Sequence, residues 1–286
     1  MMIDTHVHVW QPGDGHRVLI RERLAGLDAD FGFERLLPEL QPACVASVIL
    51  VSAAQSFAET QRLLGVADRF TDQIAGVIGY LDMEGDDFEH RLNAACANGA
   101  LVGLRLPLVV FEDDNWIRRP NVGHALRALA TRGLVAQLLA APRHLSACVD
   151  VLVDCPDLKV VIDHAGNPGP QPFDDVVWRT GLAALGKYTT ALCKIGEFSL
   201  PTGGLADERR RDTIFGQVLD SFGDRRVVFG SNWPVSTLRQ VYADVLRNLL
   251  TTASRNGLDP GALVRSMNAN VQNFYDRTAF TTKLRY

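Results

Sequence analysis

Short runs of apolar and β-branched residues recur along the chain, separated by stretches with amphipathic helical spacing. Runs of this length predict buried strands, whereas apolar positions that recur every three or four residues predict helices. Eight strands are predicted, at residues 2–9, 45–51, 74–80, 100–106, 134–140, 158–165, 190–196 and 226–231. Helices are predicted between them, at residues 57–70, 88–97, 123–132, 145–153 and 209–222, and after the last strand, at residues 238–255 and 260–275.

The number and spacing of these elements indicate the fold class. Eight strand–helix repeats in about 275 residues predict a (β/α)8 TIM barrel, with residues 1–286 as a single domain. A doubly wound α/β sheet is the alternative, but it usually has fewer strands and often a glycine-rich phosphate loop. No GxGxxG or GxxxxGKS/T pattern follows any predicted strand. In a barrel of this kind, we expect the active site at the carboxyl ends of the strands.

Composition and charge exclude several classes of protein. The chain is 47% hydrophobic and 22% charged, a balance that argues against intrinsic disorder. Its net charge of −4, without a basic stripe, argues against nucleic-acid binding. No apolar run reaches the roughly 18 residues that a membrane span needs. The N-terminal residues lack a signal-peptide pattern and the five cysteines form no CxxC pair, so we predict a cytoplasmic protein.

Polar side chains collect at the predicted strand ends. His6 and His8 lie two residues apart on the first strand and therefore share one face, as metal ligands often do. Two half-buried histidines with satisfied hydrogen bonds are the alternative. Arg105 ends the fourth strand, where a guanidinium suits a carboxylate or a developing oxyanion. On the sixth strand, we expect His164 to point into the barrel and Asp163 to point away from its mouth.

Six segments at these strand ends carry a resemblance to a known family. They read IDTHVHVW (3–10), FAETQRLLGVADRF (57–70), GLRLPL (103–108), VIDHAGNP (161–168), CKIGEFS (193–199) and FGSNWPV (229–235). Together they resemble the amidohydrolase superfamily, and within it the lactonase-like branch, whose members open lactones of sugar acids and of pyrone dicarboxylates. The resemblance runs from residue 3 to about residue 275 and implies a TIM-barrel hydrolase.

The resemblance also implies a metal site, which this sequence matches only in part. His6 and His8 correspond to the family's strand-one pair, and His164 to its strand-six histidine. Together these three would hold one divalent ion, zinc or manganese. Asn232 stands where the superfamily usually has an aspartate, which ligates metal and accepts a proton from water. Gln137 replaces a common strand-five histidine, and Ser52 a common glutamine of the branch.

An amide is not a general base at neutral pH, so the proton acceptor must be another residue. His164 is the first candidate because the ordinary pKa of histidine lies near working pH. Glu197, just past strand seven, is the second; a surface carboxylate in a loop is its alternative reading. Asp4, deeper on the first strand, is a candidate for orienting a histidine. We expect Asn232 to lie within reach of the pair on strand one.

Long loops after strands one and four predict a shaped pocket over the barrel mouth. We predict substrate contacts from Trp10, Ser52, Gln137 and Trp233, with further loop residues Arg17, Arg21, Phe33, Trp116, Arg118 and Arg119. For Trp10 and Trp233, packing of the barrel rim is the alternative.

The predicted function is hydrolysis of a small lactone, in which water attacks a ring carbonyl polarised by Arg105 and the histidine site. A decarboxylase of a small aromatic acid on the same fold is one alternative. A non-catalytic binder of a sugar acid or lactone is another, favoured by Asn232. The expected partner is a small-molecule substrate, with neither nucleic acid nor membrane; the sequence does not predict the oligomeric state.

Overall fold

Eight parallel strands form one sheet in which each strand pairs with the next along the chain. The computed structural model describes residues 1–11, 26–168, 175–197 and 206–275. The strand order is β1 to β8 in sequence. The strands are β1 Met2–Val7, β2 Val45–Val51, β3 Ile74–Gly79, β4 Leu101–Leu106, β5 Val135–Leu138, β6 Lys159–Ile162, β7 Leu192–Gly196 and β8 Val227–Gly230.

Nine α-helices occur in the described ranges, and most of them connect successive strands. They are α1 Phe33–Leu40, α2 Phe57–Arg69, α3 Phe88–Cys96, α4 Pro120–Thr131, α5 Leu145–Val153, α6 Asp175–Tyr188, α7 Ala206–Phe222, α8 Tyr242–Arg255 and α9 Pro260–Tyr275. The (β/α)8 TIM-barrel prediction is confirmed. None of the helices in these ranges is long and apolar enough to cross a membrane.

The sheet closes where β8 meets β1. The backbone amide of His8 donates to the Trp233 carbonyl at 2.7 Å, and the amide of Asn232 donates to the His6 carbonyl at 2.9 Å. The Asp4 carboxylate adds a side-chain link, since its Oδ1 accepts from the Ser231 amide at 2.9 Å. These bonds bring the carboxyl ends of the first and last strands to one place.

Two hydrophobic clusters divide the core. The smaller cluster takes residues from all eight strands, with Val161 and Leu192 among them, so it marks the barrel interior. Val271 and Tyr275 of α9 belong to this cluster as well. The larger cluster packs the outer faces of the strands against the helices. The barrel interior is therefore filled, and the space for a site lies above it.

The strand predictions agree with the structure apart from their ends. The sixth predicted strand, 158–165, is the clearest difference, because β6 ends at Ile162 and a 3₁₀ turn covers Asp163–Gly166. Two helices were not predicted, α1 and α6. The predicted helix 238–255 begins later, at Tyr242. Arg17 and Arg21, predicted as pocket residues, lie outside the described ranges.

Candidate active site

The candidate site lies at the carboxyl ends of the strands, where side chains meet around Asp163. Asp163 follows β6 directly and is fully buried. Its Oδ1 lies 3.0 Å from Lys194 Nζ and 3.3 Å from His6 Nδ1. Its Oδ2 accepts a hydrogen bond of 3.1 Å from Gln137 Nε2 and lies 3.8 Å from Arg105 Nε. One carboxylate therefore connects side chains from β1, β4, β5 and β7.

The charges in this cluster compensate one another. Burial alone would raise the pKa of the Asp163 carboxyl, but the Lys194 ammonium and His6 hold that pKa well below its usual range. Burial lowers the pKa of Lys194, and the Asp163 carboxylate opposes the shift. A buried charge is tolerated when a partner of opposite sign lies against it. Asp163 and Lys194 therefore form a buried ion pair at the centre of the site.

A glycine in β8 leaves the space that this cluster fills. A Cβ atom at Gly230 would lie 2.7 Å from Lys194 Cδ and 2.8 Å from His6 Cβ. Real Cβ atoms do not approach other heavy atoms so closely. The absence of a side chain at Gly230 therefore allows Lys194 and His6 to sit side by side under the barrel mouth.

The expectation that Asp163 points away from the mouth is wrong. Val161 belongs to the interior cluster, and side chains two residues apart on a strand share a face, so Asp163 also points inward. Val160 and Ile162 belong to the outer cluster, so strand alternation alone would place His164 on the outer face with them. His164 reaches the site by another route, because its backbone turns into the left-handed region at φ 49° and ψ 46°.

His6, His8 and His164 lie together, as expected. The ring centroids of His6 and His8 are 4.7 Å apart, and those of His6 and His164 are 4.5 Å apart. Burial lowers the pKa of all three imidazoles, to about 3 for His8 and about 4 for His164. Nearby cations lower these values further: Lys194 for His6, Arg105 for His8. All three rings are therefore neutral at pH 7.

A divalent ion could reach the histidines through one nitrogen of His6. His6, Asp163 and His164 each offer a ligand atom, and these atoms lie within 4.8 Å of one another. The Lys194 ammonium lies 3.1 Å from His6 Nδ1 and 3.0 Å from Asp163 Oδ1, so a metal held by these two atoms would share them with a buried cation. The other nitrogen of His6, Nε2, lies 3.0 Å from His8 Nε2 and is the one that could bind a metal.

His164 is the imidazole most accessible to a substrate. Its side chain is only half buried, whereas His6 and His8 are almost fully covered. A neutral imidazole always has one nitrogen that can accept a proton. His164 therefore has the position and the neutral state that a general base requires, but its pKa of about 4 lies below the near-neutral value expected from the sequence.

Arg105 is held in place by the loop that follows β2. Its Nη1 donates to the Ser52 carbonyl at 2.8 Å, while its Nε has no hydrogen-bond partner among the described residues. The Ser52 hydroxyl faces away from Arg105, toward Ala54 O and the buried carboxylate of Glu59. Ser52 therefore positions Arg105 through its backbone, and the guanidinium keeps donors available for a ligand.

Gln137 is fully buried, and its amide has one unused acceptor. Nε2 donates to Asp163, whereas Oε1 has no partner among the described residues. Since an unpaired buried acceptor costs about 1–3 kcal/mol, this oxygen is a place for a water molecule or a ligand hydroxyl.

Asn232 lies beside the strand-one histidines. Its backbone amide donates to the His6 carbonyl at 2.9 Å, its side chain is half buried, and its φ is 57°. Asparagine adopts this left-handed conformation more readily than most residues. The backbone of Asn232 is therefore placed at the mouth, against the backbone of His6.

Three other predicted residues are buried near the barrel rim, and the ring centroid of Trp10 lies 6.3 Å from that of His8. Trp10 and Trp233 both pack against Phe31, with ring centroids 5.6 Å apart in each case, and are 1% and 3% exposed. This burial supports packing of the rim as their role. Glu197 is buried as well, and its Oε2 accepts from Gln240 Nε2 at 3.0 Å, so the alternative of a surface carboxylate is wrong.

Lys194 and Asp163 are the functional residues that sequence reasoning did not assign. Lys194 shares its strand face with Leu192, which belongs to the interior cluster, so strand alternation carried the signal. Asp4, by contrast, binds backbone rather than an imidazole. Its carboxylate accepts from the His6 and Ser231 amides and from the Tyr242 hydroxyl.

Comparison with known proteins places this site in a family. An L-fucono-1,5-lactonase of Burkholderia ambifaria is 29% identical over 275 residues, which are 96% of this chain and 94% of that protein. An L-fucono-1,5-lactonase of Burkholderia multivorans is 27% identical and covers 93% of this chain and 95% of its own.

Solved structures resemble the whole chain. An amidohydrolase from Burkholderia multivorans with bound zinc is 25% identical, with a TM-score of 0.87 over 96% of this chain and 99% of that one. A probable 2-pyrone-4,6-dicarboxylic acid hydrolase from Acinetobacter baumannii, with citric acid bound, has a TM-score of 0.78 at 19% identity, with the same coverage of both chains.

The family model described as amidohydrolase matches residues 3–275, nearly the whole chain. This match confirms the resemblance carried by the strand-end segments, and the chain belongs to the amidohydrolase family.

Proposed function

We propose that the protein hydrolyses a small lactone, of a sugar acid or of a carboxylated ring. The two L-fucono-1,5-lactonases, similar over more than nine-tenths of the chain, support this reaction class. The observation that carries the proposal is His164. Its neutral, half-buried imidazole lies at the barrel mouth, against the other histidines and close enough to Arg105 for that charge to lower its pKa.

The proposed reaction begins with water held by His164. The imidazole accepts a proton as the water oxygen bonds to the ring carbonyl carbon, and the carbonyl oxygen becomes an oxyanion. The free donors of Arg105 stabilise that charge. The bond between the carbonyl carbon and the ring oxygen then breaks. Protonated His164 returns the proton to the leaving alkoxide, and the product is an open hydroxy acid.

No step of this reaction is assigned to a metal ion. A zinc or manganese ion would be held through Nε2 of His6 and of His8, and it would supply polarisation of the ring carbonyl. The polarising charge in the proposal comes from Arg105. Its guanidinium is anchored at the Ser52 carbonyl.

A panel of aldonolactones and carboxylated lactones, followed with a pH indicator, tests the proposal. We expect turnover by the wild-type protein and a fall in kcat of about 10²–10⁴-fold in His164→Gln, the usual contribution of a general base. His90→Gln is the control, since His90 is exposed on α3, and should keep wild-type activity. Binding of a lactone without turnover would contradict the proposal and favour the binder. Release of CO2 from an aromatic acid would favour the decarboxylase.

A further inference from the structure

Two unpaired polar atoms lie near the Asp163 carboxylate, on neighbouring strands. Arg105 Nε is a buried donor and Gln137 Oε1 is a buried acceptor, and neither has a hydrogen-bond partner in the described part of the chain. We infer that Gln137 is a specificity-determining residue, whose Oε1 binds, together with Arg105 Nε, a hydroxyl group on the substrate carbon next to the lactone carbonyl. The inference rests on the proposed lactone hydrolysis and narrows its substrates to hydroxylated lactones.

Strand pairing places these two side chains next to each other. Arg105 on β4 and Gln137 on β5 are direct partners in the parallel register, so both point to the inner face of the barrel. They also border the same carboxylate oxygen, since Asp163 Oδ2 lies 3.1 Å from Gln137 Nε2 and 3.8 Å from Arg105 Nε. The unpaired donor and the unpaired acceptor therefore belong to one small region of the site.

The Asp163 carboxylate determines which way the Gln137 amide faces. A carboxylate only accepts hydrogen bonds, so the NH2 group of Gln137 must face Asp163, and the amide oxygen must face elsewhere. The reversed amide would place two acceptors against each other inside the protein, where Gln137 is fully buried. Oε1 is therefore held in a fixed orientation as an acceptor.

The partner of Oε1 must approach from the barrel mouth. Val135 and Val161 lie two residues before Gln137 and Asp163, on the same strand faces, and both belong to the apolar interior cluster. Their side chains form the layer beneath the amide and offer no donor to it. The group that pairs with Oε1 therefore enters from above, where the substrate of the proposed reaction binds.

A hydroxyl group satisfies both unpaired atoms at once. Its oxygen can accept from Arg105 Nε while its proton is donated to Gln137 Oε1. A carboxylate or keto oxygen can only accept and an ammonium can only donate, so none of these groups pairs with both atoms. A guanidinium has five N–H donors, so others remain for the carbonyl oxygen. Because Arg105 holds both groups, the hydroxyl lies on the carbon next to the carbonyl.

The test compares α-hydroxy-γ-butyrolactone with γ-butyrolactone, which differ only in this hydroxyl, in wild type and in Gln137→Met. Wild type should have the higher kcat/KM for the hydroxylated lactone. The variant should lose about tenfold to a hundredfold of that preference, the usual effect of leaving a buried polar group unpaired. Loss of the hydrogen bond to Asp163 would slow both reactions alike, so the ratio isolates the contact with Oε1.

Gln61→Met is the matched control, since Gln61 is exposed on α2, and should keep the wild-type preference. If wild type hydrolyses neither lactone, the proposed reaction fails for both, and dissociation constants from calorimetry then provide the same comparison of the two lactones in the same proteins. The two proposals are thereby tested separately.

Three results would overturn the inference. One is an equal preference in wild type and in folded Gln137→Met, and another is a wild-type protein that binds neither lactone. The third requires no variant. It is a crystal structure of the wild-type protein with the hydroxylated lactone or its opened acid, in which a water molecule instead of the ligand hydroxyl contacts Gln137 Oε1.

Discussion

His164 adopts a backbone conformation that few residues other than glycine adopt. Its φ is 49°, and the next residue, Ala165, follows at 53°. Such conformations cost about 1–3 kcal/mol each and concentrate at functional sites, where surrounding contacts enforce them. Trp178 contributes one of these contacts, since its indole nitrogen donates to the Ala165 carbonyl at 2.8 Å. The turn brings the imidazole to the mouth, although strand alternation would place it outside.

The lowered pKa of His164 predicts an unusual pH profile. Burial first, and then Lys194 and Arg105, lower this pKa to about 4, so the ring stays neutral well below pH 6. A base must be unprotonated to act, and kcat/KM for a lactone should therefore remain constant from pH 7 to about 5 and fall near pH 4. Initial rates of lactone hydrolysis, measured in a stopped assay at each pH, would give this dependence of kcat/KM on pH. An acidic limb near pH 6.5, the ordinary histidine value, would contradict this prediction.

A substitution at Asn232 tests whether the site would gain activity from a second proton acceptor. Asn232→Asp would introduce a carboxylate at a residue whose backbone binds that of His6, and a carboxylate at the mouth can accept the proton of the attacking water in parallel with His164. We expect kcat for lactone hydrolysis to rise by about tenfold, at the low end of what a general base contributes.

The matched control is Asn167→Asp, since Asn167 has a similar left-handed backbone, with φ 52°, at the same end of the barrel. It should not raise kcat. If Asn232→Asp lowers the rate instead, the amide itself contacts the substrate and is not a missing acid.

The sequence predicted which residue types lie at the site, but it did not predict which of their side chains contact one another. His6 and His8 could be paired from their spacing on one strand, and the structure brings them together. Asp163 was placed on the wrong face because the predicted strand continued through a turn that bends at His164. Gly166, Asn167 and Pro168 do indicate a turn, but a non-glycine residue with positive φ is uncommon, and the turn was not predicted to begin before them.

At the scale of elements, Glu59 in α2 organises the loop that holds Arg105. Its buried carboxylate accepts from the Ser52 hydroxyl and from the amides of Ala53 and Ala54, at 3.1 and 2.6 Å. Burial raises the pKa of this carboxyl, and these hydrogen bonds oppose the shift. The loop after β2 therefore depends on a side chain from the helix that follows it.

Glu59→Ala should both destabilise the protein and loosen Arg105. The change leaves two loop amides without a side-chain partner, at about 1–3 kcal/mol for each one that stays buried. We expect a lower free energy of unfolding in urea and a lower kcat, because Arg105 binds the Ser52 carbonyl in this loop. Glu89→Ala, also in the first turn of a helix but exposed to solvent, should change stability by less than about 1 kcal/mol. Equal effects of the two substitutions would contradict this role.

Elements whose apolar residues are regularly spaced were predicted well. Two helices that are interrupted by proline or glycine were not. Apart from Ser47 and Lys194, the runs that became β2 and β7 are apolar, and each is followed by a polar residue or ends in glycine. The missed helix α1 contains Pro38, which usually breaks a helix. The missed α6 contains Gly181 and Gly186, although Trp178, Leu182 and Leu185 follow a helical period. Packing against the barrel outweighs these local preferences.

At the scale of the whole molecule, buried neutral histidines make stability depend on pH. The pKa values of His6, His8 and His164 are lowered in the folded state, so the unfolded chain binds more protons below pH 6.5. Stability should therefore fall as pH drops from 6.5 toward 4. Asp163, whose folded pKa is depressed, adds stability that is lost only below about pH 4.

We expect the free energy of unfolding to fall by about 2 kcal/mol for each of these histidines between pH 6.5 and 5. Urea denaturation at the two pH values measures the difference. His8→Asn should show a smaller difference than wild type, and His90→Gln the same difference. Stability that does not change over this range would show that the histidines are not buried in neutral form.

The closure of the sheet between β1 and β8 determines when the site can form during synthesis. Asp4 and Ser231, which meet across it, are 227 positions apart. At about 5–20 residues per second, a ribosome needs on the order of ten to forty seconds to deliver the second after the first. Throughout this interval the nascent barrel has an open edge, and Asp4 lacks its partners on the last strand. The site is therefore complete only after Ser231 has been synthesised, and until then the unfinished sheet is exposed to chaperones and to aggregation.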